Sequence, residues 1–458
     1  MPFPTNFIWG SATSSFQIEG ASTADGKGPS IWDDFCKQSR NGSTVWGDGT
    51  GDVACDHYRR MASDVALMKQ LGLKAYRFSV SWPRVLPQGT GAVNAKGLDF
   101  YSRLVDELLA AGITPYCTLF HWDYPSALHT RGGWMQRESS EWFAEYTKVV
   151  VDKIGDRVAH WMTLNEPQVF IKFGYGDGVN APGQKLPLHD QLLMVHHALM
   201  AHGRATQVIR SHAKKNATIG WAPVCVVRYP ATNSPRDVEA ARALTFGCAA
   251  VPTVRDLWNN SWYNDPLVFG HYPAELLKLY GSDVPKFAAS DFDVIKQPVD
   301  FLGVNIYEGQ PVRATADGGV EYAKRADGHP VTAFKWPVEP KSLYWGPRFM
   351  HERYKLPIVI TENGLSSMDW PALDGKVHDV QRIDFTTRYL RELRRACDDG
   401  VDVRGYFHWS LMDNFEWAVG YRERFGLIYV DYATQERILK DSAHWYRGVI
   451  ESNGGSLG

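Results

Sequence analysis

Short runs of apolar and aromatic residues, each closing on polar side chains, alternate along the chain with longer segments in which apolar residues recur every three or four positions. The short runs suit buried strands and the longer segments suit amphipathic helices, so the alternation predicts repeated βα units. Eight strands are predicted: FIWGSA (7–12), KAYRFSVSW (74–82), ITPYCTLFHW (113–122), HWMTLNEP (160–167), ATIGWAPVCVV (217–227), VDFLGVNIY (299–307), LPIVITENG (356–364) and VRGYFHWSLMD (403–413). Between them, the segment 56–72 sets Tyr58, Met61, Val65 and Met68 on one side of a helix that Gly72 ends. Segment 96–112 repeats the pattern, and 139–155 opens with serines and a glutamate in its first turn, as helix starts do. Segments 189–213, 234–246, 379–400 and 433–451 complete a helical covering layer. The stretches GPSIWDDF, GDGVNAPGQ and 308–340 read as long loops, because barrel-like elements resume on both sides of each.

Eight is the strand number of a closed barrel, and the pattern favours a single (β/α)8 TIM barrel with long loops at the C-terminal face of its strands over a doubly wound open sheet. Such barrels use 200 to more than 400 residues in one unit, so residues 1–458 are expected to form one catalytic domain. No G-x-G-x-x-G follows the first strand and no Walker A sequence occurs, which removes the nucleotide folds. With 17 Trp, 21 Tyr and 21 Phe, the chain can fill a large core and still line a cleft with rings. Lys and Arg number 49 against 51 Asp and Glu, scattered along the chain, which argues against nucleic acid as the main partner.

No stretch of about 18 apolar residues offers a membrane span, and the amino-terminal segment lacks the basic-then-apolar pattern of a secretory signal. Cysteines at 36, 55, 117, 225, 248 and 397 are too dispersed for a zinc cluster and too few for a disulfide scaffold. They read as free thiols of a cytoplasmic protein, in which the N-x-S/T triplets at Asn41, Asn216 and Asn259 carry no weight. His196, His197 and His202 lie in a helical run without an HExxH pattern and read as a helix face, and Cys225 reads as a small core residue. Trp32, Trp46, Trp134 and Trp258 are divided between sugar platforms and packing under loops, with packing the commoner fate.

In a barrel all strand ends converge on one bowl, and here they are polar in a particular way. Gln17 and Glu19 lie just beyond strand 1, Arg77 on strand 2, His121 and Trp122 after strand 3, Asn165 and Glu166 after strand 4, Asn305 and Tyr307 on strand 6, Glu362 on strand 7 and Trp409 on strand 8. Strand 5 closes without such a group. Amide, imidazole and carboxylate groups suit sugar hydroxyls, and an indole suits the apolar face of the ring. Glu166 in TLNEP and Glu362 in VITENG stand where strands turn into loops. A lone strand-end glutamate is readily a structural ion-pair partner. Two across one bowl fit glycosidic cleavage, which needs one carboxyl to protonate the leaving oxygen and another to attack carbon or activate water.

These motifs resemble glycoside hydrolase family 1, the retaining β-glucosidase family. FIWGSATSSFQIEGA (7–21), YRFSVSWPRVLP (76–87), FHWDYP (120–125), LNEP (164–167), IVITENG (358–364), HWSLMDNFEWAVGY (408–421) and RFGLIYVDY (424–432) match its pattern in order, over nearly the whole chain. The resemblance implies exo-acting hydrolysis of short β-glucosides by double displacement, without metal or cofactor, with Glu166 as acid/base and Glu362 as nucleophile about 5 to 5.5 Å away. It implies that Arg77, Tyr307 and Asn305 support the nucleophile. Gln17, His121, Asn165 and Glu416 would hold the nonreducing sugar, with Trp409 as platform and Trp122, Trp417 and Phe425 as further contacts. Trp336 would wall the leaving-group side. The implied partners are small β-glucosides and oligosaccharides, with a homo-oligomer left open.

Glu166 stands where thioglucosidases of the family carry glutamine, and Glu416 stands where phospho-β-glycosidases carry serine, so an unmodified sugar is expected. Whether that sugar is glucose, galactose or fucose stays open. After NEP the chain reads QVFIKFGYGDG, without the tryptophan common there, and Val169, Phe170 and Phe173 are expected to line the outer cleft. A narrow apolar mouth would favour aryl or alkyl leaving groups and short disaccharides over polymer.

Overall fold

The computed structural model describes residues 2–38, 44–247 and 255–458. Asn41 and Cys248 lie outside them. All eight predicted strands form: β1 (Ile8–Ala12), β2 (Ala75–Ser79), β3 (Thr114–Phe120), β4 (His160–Asn165), β5 (Thr218–Ala222), β6 (Leu302–Asn305), β7 (Ile358–Asn363) and β8 (Val403–Trp409). They make one parallel sheet in the order β5-β4-β3-β2-β1-β8-β7-β6. The ring is completed between its two ends, where Asp300 N donates to Ile219 O at 2.8 Å, Asn305 N to Pro223 O at 3.0 Å and Cys225 N to Asn305 O at 3.0 Å. The result is a (β/α)8 barrel.

Eight helices follow the strands on the outside: α1 (His57–Gln70), α2 (Ala95–Ala110), α3 (Ser139–Ile154), α4 (Leu188–His212), α5 (Pro235–Phe246), α6 (Ser342–Tyr354), α7 (Val380–Asp398) and α8 (Asp441–Glu451). Their buried stripes have helical spacing: α2 turns Phe100, Tyr101, Leu104, Val105 and Leu108 inward, and α3 turns Phe143, Tyr146, Thr147, Val150, Val151 and Ile154. Strands covered on both faces carry no polar alternation, and β7 is buried at every position. Inside the barrel, Ala12, Ala75 and Ala222 leave room for Tyr116, Met162, Phe301, Val359 and Phe407. The Tyr116 and Phe407 rings meet edge to face at 4.9 Å. The barrel is therefore a packed core, open to chemistry only at its ends.

Four features differ from the sequence expectations. Strand 5 stops at Ala222, because Pro223 has no N–H for the ladder, and the apolar run 224–227 continues as lining of the mouth. The segment 308–340 contains strands Gln310–Ala314 and Val320–Tyr322, which join Arg228–Pro230 in a small three-stranded sheet. Helix α6 was concealed by Gly346 and Pro347 within it. A Cβ at Gly346 would lie 2.8 Å from the Val227 side chain and 2.9 Å from that of Ile306, so glycine lets the helix seat against the sheet. The segment 433–451 is helical only from Asp441, since Arg437–Leu439 pairs antiparallel with Ile428–Val430 across a turn in which Asp431 accepts from Ala433 N at 2.8 Å.

Candidate active site

The bowl is organised by Arg77, fully buried on β2. A guanidinium has only donors, so every group it touches must accept. Its Nη1 donates to Glu362 Oε1 at 2.6 Å and to Thr361 O at 3.1 Å, its Nη2 to Asn165 Oδ1 at 2.5 Å, and its Nε to Thr118 Oγ1 at 3.1 Å. That fixes the Asn165 amide: its oxygen faces Arg77, and its Nδ2 donates to His121 Nε2 at 3.1 Å. The acceptor nitrogen of His121 is then Nε2, and the proton sits on Nδ1. The Asn305 amide is fixed in turn, because only its nitrogen can donate to Asn165 Oδ1 at 3.1 Å. The same nitrogen donates to Glu166 Oε1 at 3.0 Å, while Thr361 Oγ1 donates to Asn305 Oδ1 at 2.6 Å.

Glu362, near the end of β7, accepts a second bond on Oε2 from the Tyr307 hydroxyl at 2.8 Å. The backbone needs the glycine of TENG here, because a Cβ at Gly364 would overlap Trp409 O at 1.7 Å. Glu166 leaves β4 with φ 45°, a left-handed conformation costing a non-glycine residue roughly 1–2 kcal/mol. It is held by its N–H donating to Ala222 O at 2.8 Å and by Pro167, which opens the short helix Pro167–Ile171. Trp122 (φ 77°) and Trp417 (φ 53°), both lining the bowl, share the left-handed conformation. Such strain concentrates where side-chain aim matters more than local stability.

The acids differ in charge state. Burial and then the neighbouring Glu362 push the Glu166 carboxyl well above its usual value, with Asn305 and Arg77 opposing. Burial also raises Glu362, but the charge and hydrogen bond of Arg77, and then the bonds of Tyr307 and Asn305, all favour its carboxylate. Of the two, Glu166 keeps the proton and Glu362 holds the charge. Glu416 is pushed up to about 8 by burial, then by Glu362 and Glu423, with Gln17 opposing. His121 is held neutral by burial and by Arg77. The arrangement thus pairs a protonated carboxyl with an ionised carboxylate in one bowl.

Both glutamates open into a cavity of about 590 Å³, lined as expected by His121, Trp122, Asn305, Tyr307, Trp336, Trp409, Glu416, Trp417 and Phe425. His121 stacks on Trp409 at 5.7 Å and on Trp417 at 5.9 Å, while Tyr307, Trp336 and Phe425 meet with centroids 5.2–6.2 Å apart. Gln17, Arg77 and Asn165 lie fully buried behind this surface. Gln17 donates to Glu416 Oε2 at 3.2 Å and to Phe415 O at 2.8 Å.

Glu19, grouped by sequence with the sugar-binding residues, is a structural acid instead: it accepts from Arg84 Nε at 2.8 Å and from the Tyr101 hydroxyl at 2.7 Å. Phe170 packs inward against Trp134 and Phe120, leaving Val169 and Phe173 to the cleft. Trp32 and Trp134 are packing residues, Trp46 is exposed, and Trp258 lines the cavity with its ring stacked 5.4 Å from Phe173. His196, His197 and His202 are buried and bonded to Tyr272, Trp134 O and Thr163. Cys225 is a buried thiol that lines the cavity. Sequence reasoning missed Thr118 and Thr361, which orient the others, and Arg228, Glu308, Gln310 and Phe334 at the mouth; of these only Thr361, inside IVITENG, lies in a motif.

The profile of glycosyl hydrolase family 1 matches residues 1–455. Among curated proteins, Beta-glucosidase A of Thermotoga maritima is 43% identical over 453 residues, covering 99% of this chain and 98% of that protein. A bifunctional beta-D-glucosidase/beta-D-fucosidase of Bifidobacterium breve is 40% identical over 475 residues, covering 98% of each. Among solved structures, the family 1 β-glucosidase from Thermotoga maritima superposes with a TM-score of 0.89 at 43% identity over 99% of both chains.

Proposed function

The chain belongs to glycosyl hydrolase family 1, and from that premise we propose that it hydrolyses short β-glucosides from their nonreducing end with retention, Glu362 acting as nucleophile and Glu166 as acid/base. The observation that carries the assignment of roles is the asymmetry of the two carboxyls: Glu362 is clamped by Arg77 and Tyr307, whereas its neighbour Glu166 meets one amide and keeps a proton. In the first step the Glu362 carboxylate attacks the anomeric carbon while the Glu166 proton passes to the departing oxygen. The ester so formed has consumed the charge on Glu362, and with it the repulsion that held the proton on Glu166. Glu166 then takes a proton from the incoming water, whose oxygen attacks the anomeric carbon and expels Glu362. One amide nitrogen, Asn305 Nδ2, bonds to Glu166 and favours the carboxylate of Glu362, which supports the short separation that double displacement requires.

Asn165 has one amide hydrogen beyond that given to His121, and this is the hydrogen offered to the sugar 2-hydroxyl. His121, Glu416, Trp409, Trp417 and Phe425 line the part of the bowl that takes the glycone, with Gln17 setting Glu416, and Trp336 walls the leaving-group side. The whole chain is read as one catalytic unit. No described helix is long and apolar enough to cross a membrane, and the free thiols at 36, 55, 117, 225 and 397 favour a cytoplasmic setting.

Hydrolysis of 4-nitrophenyl β-D-glucoside followed by proton NMR tests the proposal: β-glucose should appear before the α-anomer. An α-anomer formed first would overturn retention, and no turnover of any β-glucoside would overturn the activity. A second reading, β-fucosidase action by the same machinery, is favoured by the dual name of the Bifidobacterium breve relative, and β-galactosidase action is the further alternative the sequence leaves open. Rates on the three 4-nitrophenyl glycosides rank the readings.

A further inference from the structure

Arg77 and its partners fix the floor of the bowl. A second buried set of charges, used by no step of the reaction, lies outside the cavity lining. Lys440, at the N-terminal boundary of α8, is fully buried, and its Nζ donates to Asp413 Oδ1 at 2.7 Å and to Asp369 Oδ2 at 2.6 Å. Each acid also has an arginine of its own: Arg424 Nη1 donates to Asp413 Oδ2 at 2.7 Å, and Arg382 Nη2 donates to Asp369 Oδ2. Burial would raise the Asp369 carboxyl, but Arg382 and then Lys440 hold it down at about 2, so it stays charged at neutral pH. Buried ion pairs are weak evidence for stability, because desolvation offsets their attraction. The geometry they fix says more.

Asp413 stands in the loop that leaves β8, between Trp409 and Glu416. Its Oδ1 also accepts from Gly426 N at 2.9 Å, next to Phe425, and its own N–H donates to Ile428 O at 2.9 Å. Arg382 reaches the same point from the other side, donating to Arg424 O at 3.1 Å and to Gly426 O at 3.3 Å. The fit leaves no slack, since a Cβ at Gly426 would lie 2.1 Å from Asp413 N. Trp409, Glu416, Trp417 and Phe425, which line the glycone half of the bowl, therefore sit on backbone anchored at Asp413. Asp369 belongs to the loop that leaves β7 just past Glu362, where Leu365 O accepts from Arg382 Nη1 at 3.3 Å. The two loops share a backbone bridge, Ser367 N to Arg424 O at 3.0 Å. Among the described residues, Lys440 is the only side chain bonded to both acids.

We propose that Lys440 is a positioning residue for the reaction: by joining Asp413 to Asp369 it sets the sugar-holding loop against the loop that follows the nucleophile, and so sets how tightly the glycone is held. It touches no substrate itself. This rests on the reading of the bowl as a β-glucosidase site. Removing Lys440 leaves each acid with its arginine, so no carboxylate is orphaned and the tie alone is lost.

The experiment compares wild type with Lys440→Met, Lys440→Arg and Asp369→Asn on 4-nitrophenyl β-glucoside, well below each protein's thermal midpoint. Expected for Lys440→Met is a rise in KM of about 10-fold with kcat within about threefold, the pattern of lost ground-state and transition-state binding alike. Asp369→Asn cuts the same tie from the other loop, so it should give a similar rise, and the double variant no more than either alone. Lys440→Arg can still bridge two carboxylates and should bring KM back to within about threefold of wild type. A lowered midpoint with KM within about twofold of wild type in Lys440→Met would leave Lys440 a stabilising residue only and overturn the proposal. Effects on KM that add in the double variant would overturn it too. If Lys440→Met gives no folded protein, Asp369→Asn is judged by the same KM criterion. Calorimetric binding of glucose to the Glu362→Gln protein, with and without Lys440→Met, separates this idea from the catalytic reading. Affinity should fall about 5-fold or more on adding Lys440→Met, even if wild type turned over no β-glucoside, and equal affinities would overturn the positioning role directly.

Discussion

Replacing Tyr307 by Phe removes one hydroxyl and leaves the ring that packs against Trp336 and Phe425. The lost bond is the 2.8 Å donation to Glu362 Oε2. A hydrogen bond to a buried charged group is worth about 1.5–3 kcal/mol, and one pKa unit corresponds to about 1.4 kcal/mol. Because the hydroxyl stabilises the carboxylate and not the acid, its removal raises the pKa of Glu362, by about 1–2 units at most on these figures. The two glutamates titrate as a pair, so the shift appears in the lower of two macroscopic values. The assay is the pH dependence of kcat/KM on 2,4-dinitrophenyl β-glucoside, whose leaving group departs without a proton and so isolates the limb set by the nucleophile. The acid limb of Tyr307→Phe should move to higher pH by up to about 2 units while the thermal midpoint stays near that of wild type. An unmoved acid limb in a folded variant would refute the reasoning, either because Glu362 is not the group that must be ionised or because Tyr307 does not hold it.

Glu166→Ala should cost cellobiose turnover about 100- to 10,000-fold more than 2,4-dinitrophenyl glucoside turnover, the range general acid catalysis spans; azide should then yield the β-glucosyl azide, and the α-azide would exchange the two roles. Glu416→Ser should impair glucoside hydrolysis by about 10-fold or more, because it removes a half-buried acceptor that Gln17 holds in place, and unchanged kinetics would place the glycone elsewhere. The raised pKa of Glu416 has a stability consequence too: with the folded value about 8 against about 4.5 for an unperturbed side chain, the native state holds its proton where the unfolded chain has lost it, so the group destabilises the fold increasingly as pH rises from about 4.5 to 8. Glu416→Gln should accordingly have a higher Tm than wild type at pH 8 and a similar one near pH 4.5, and a difference that does not grow with pH would contradict the assignment.

The barrel was legible because its strands are covered on both faces: a parallel strand inside a helical layer must be apolar throughout, and it becomes polar where it reaches the bowl. Both halves of that signal are visible in IVITENG, which is buried along its length and carries Glu362 near its end. What stayed hidden broke the local pattern for a tertiary reason. Gly346 and Pro347 look like helix breakers, yet the glycine is there so that α6 can approach Val227 and Ile306. Arg437–Leu439 sits in a run with helical spacing, but Ile428–Val430 offers it a ladder that the run alone does not reveal.

Within the site the same division has a chemical basis. Strand-end glutamates announce themselves as a pair, because two carboxyls converging on one bowl fit glycosidic cleavage better than two separate ion pairs, whereas the group that decides their ionisation lies elsewhere in sequence. Arg77 imposes an acceptor on Asn165, Asn165 imposes a donor on Asn305, and Asn305 points that donor at Glu166, while the same guanidinium, five strands before Glu362 in chain order, bonds the Glu362 carboxylate directly and so favours the charge there. No spacing rule encodes such a chain, because each link depends on the previous residue having no alternative. The mouth residues follow the opposite logic. Arg228 and Gln310 are placed by backbone pairing, and among the described residues their side chains together make one long hydrogen bond, from Arg228 to Val227 O. A floor in which every group is determined by its neighbour permits one chemistry, and a mouth held so loosely can change by substitution without disturbing the floor.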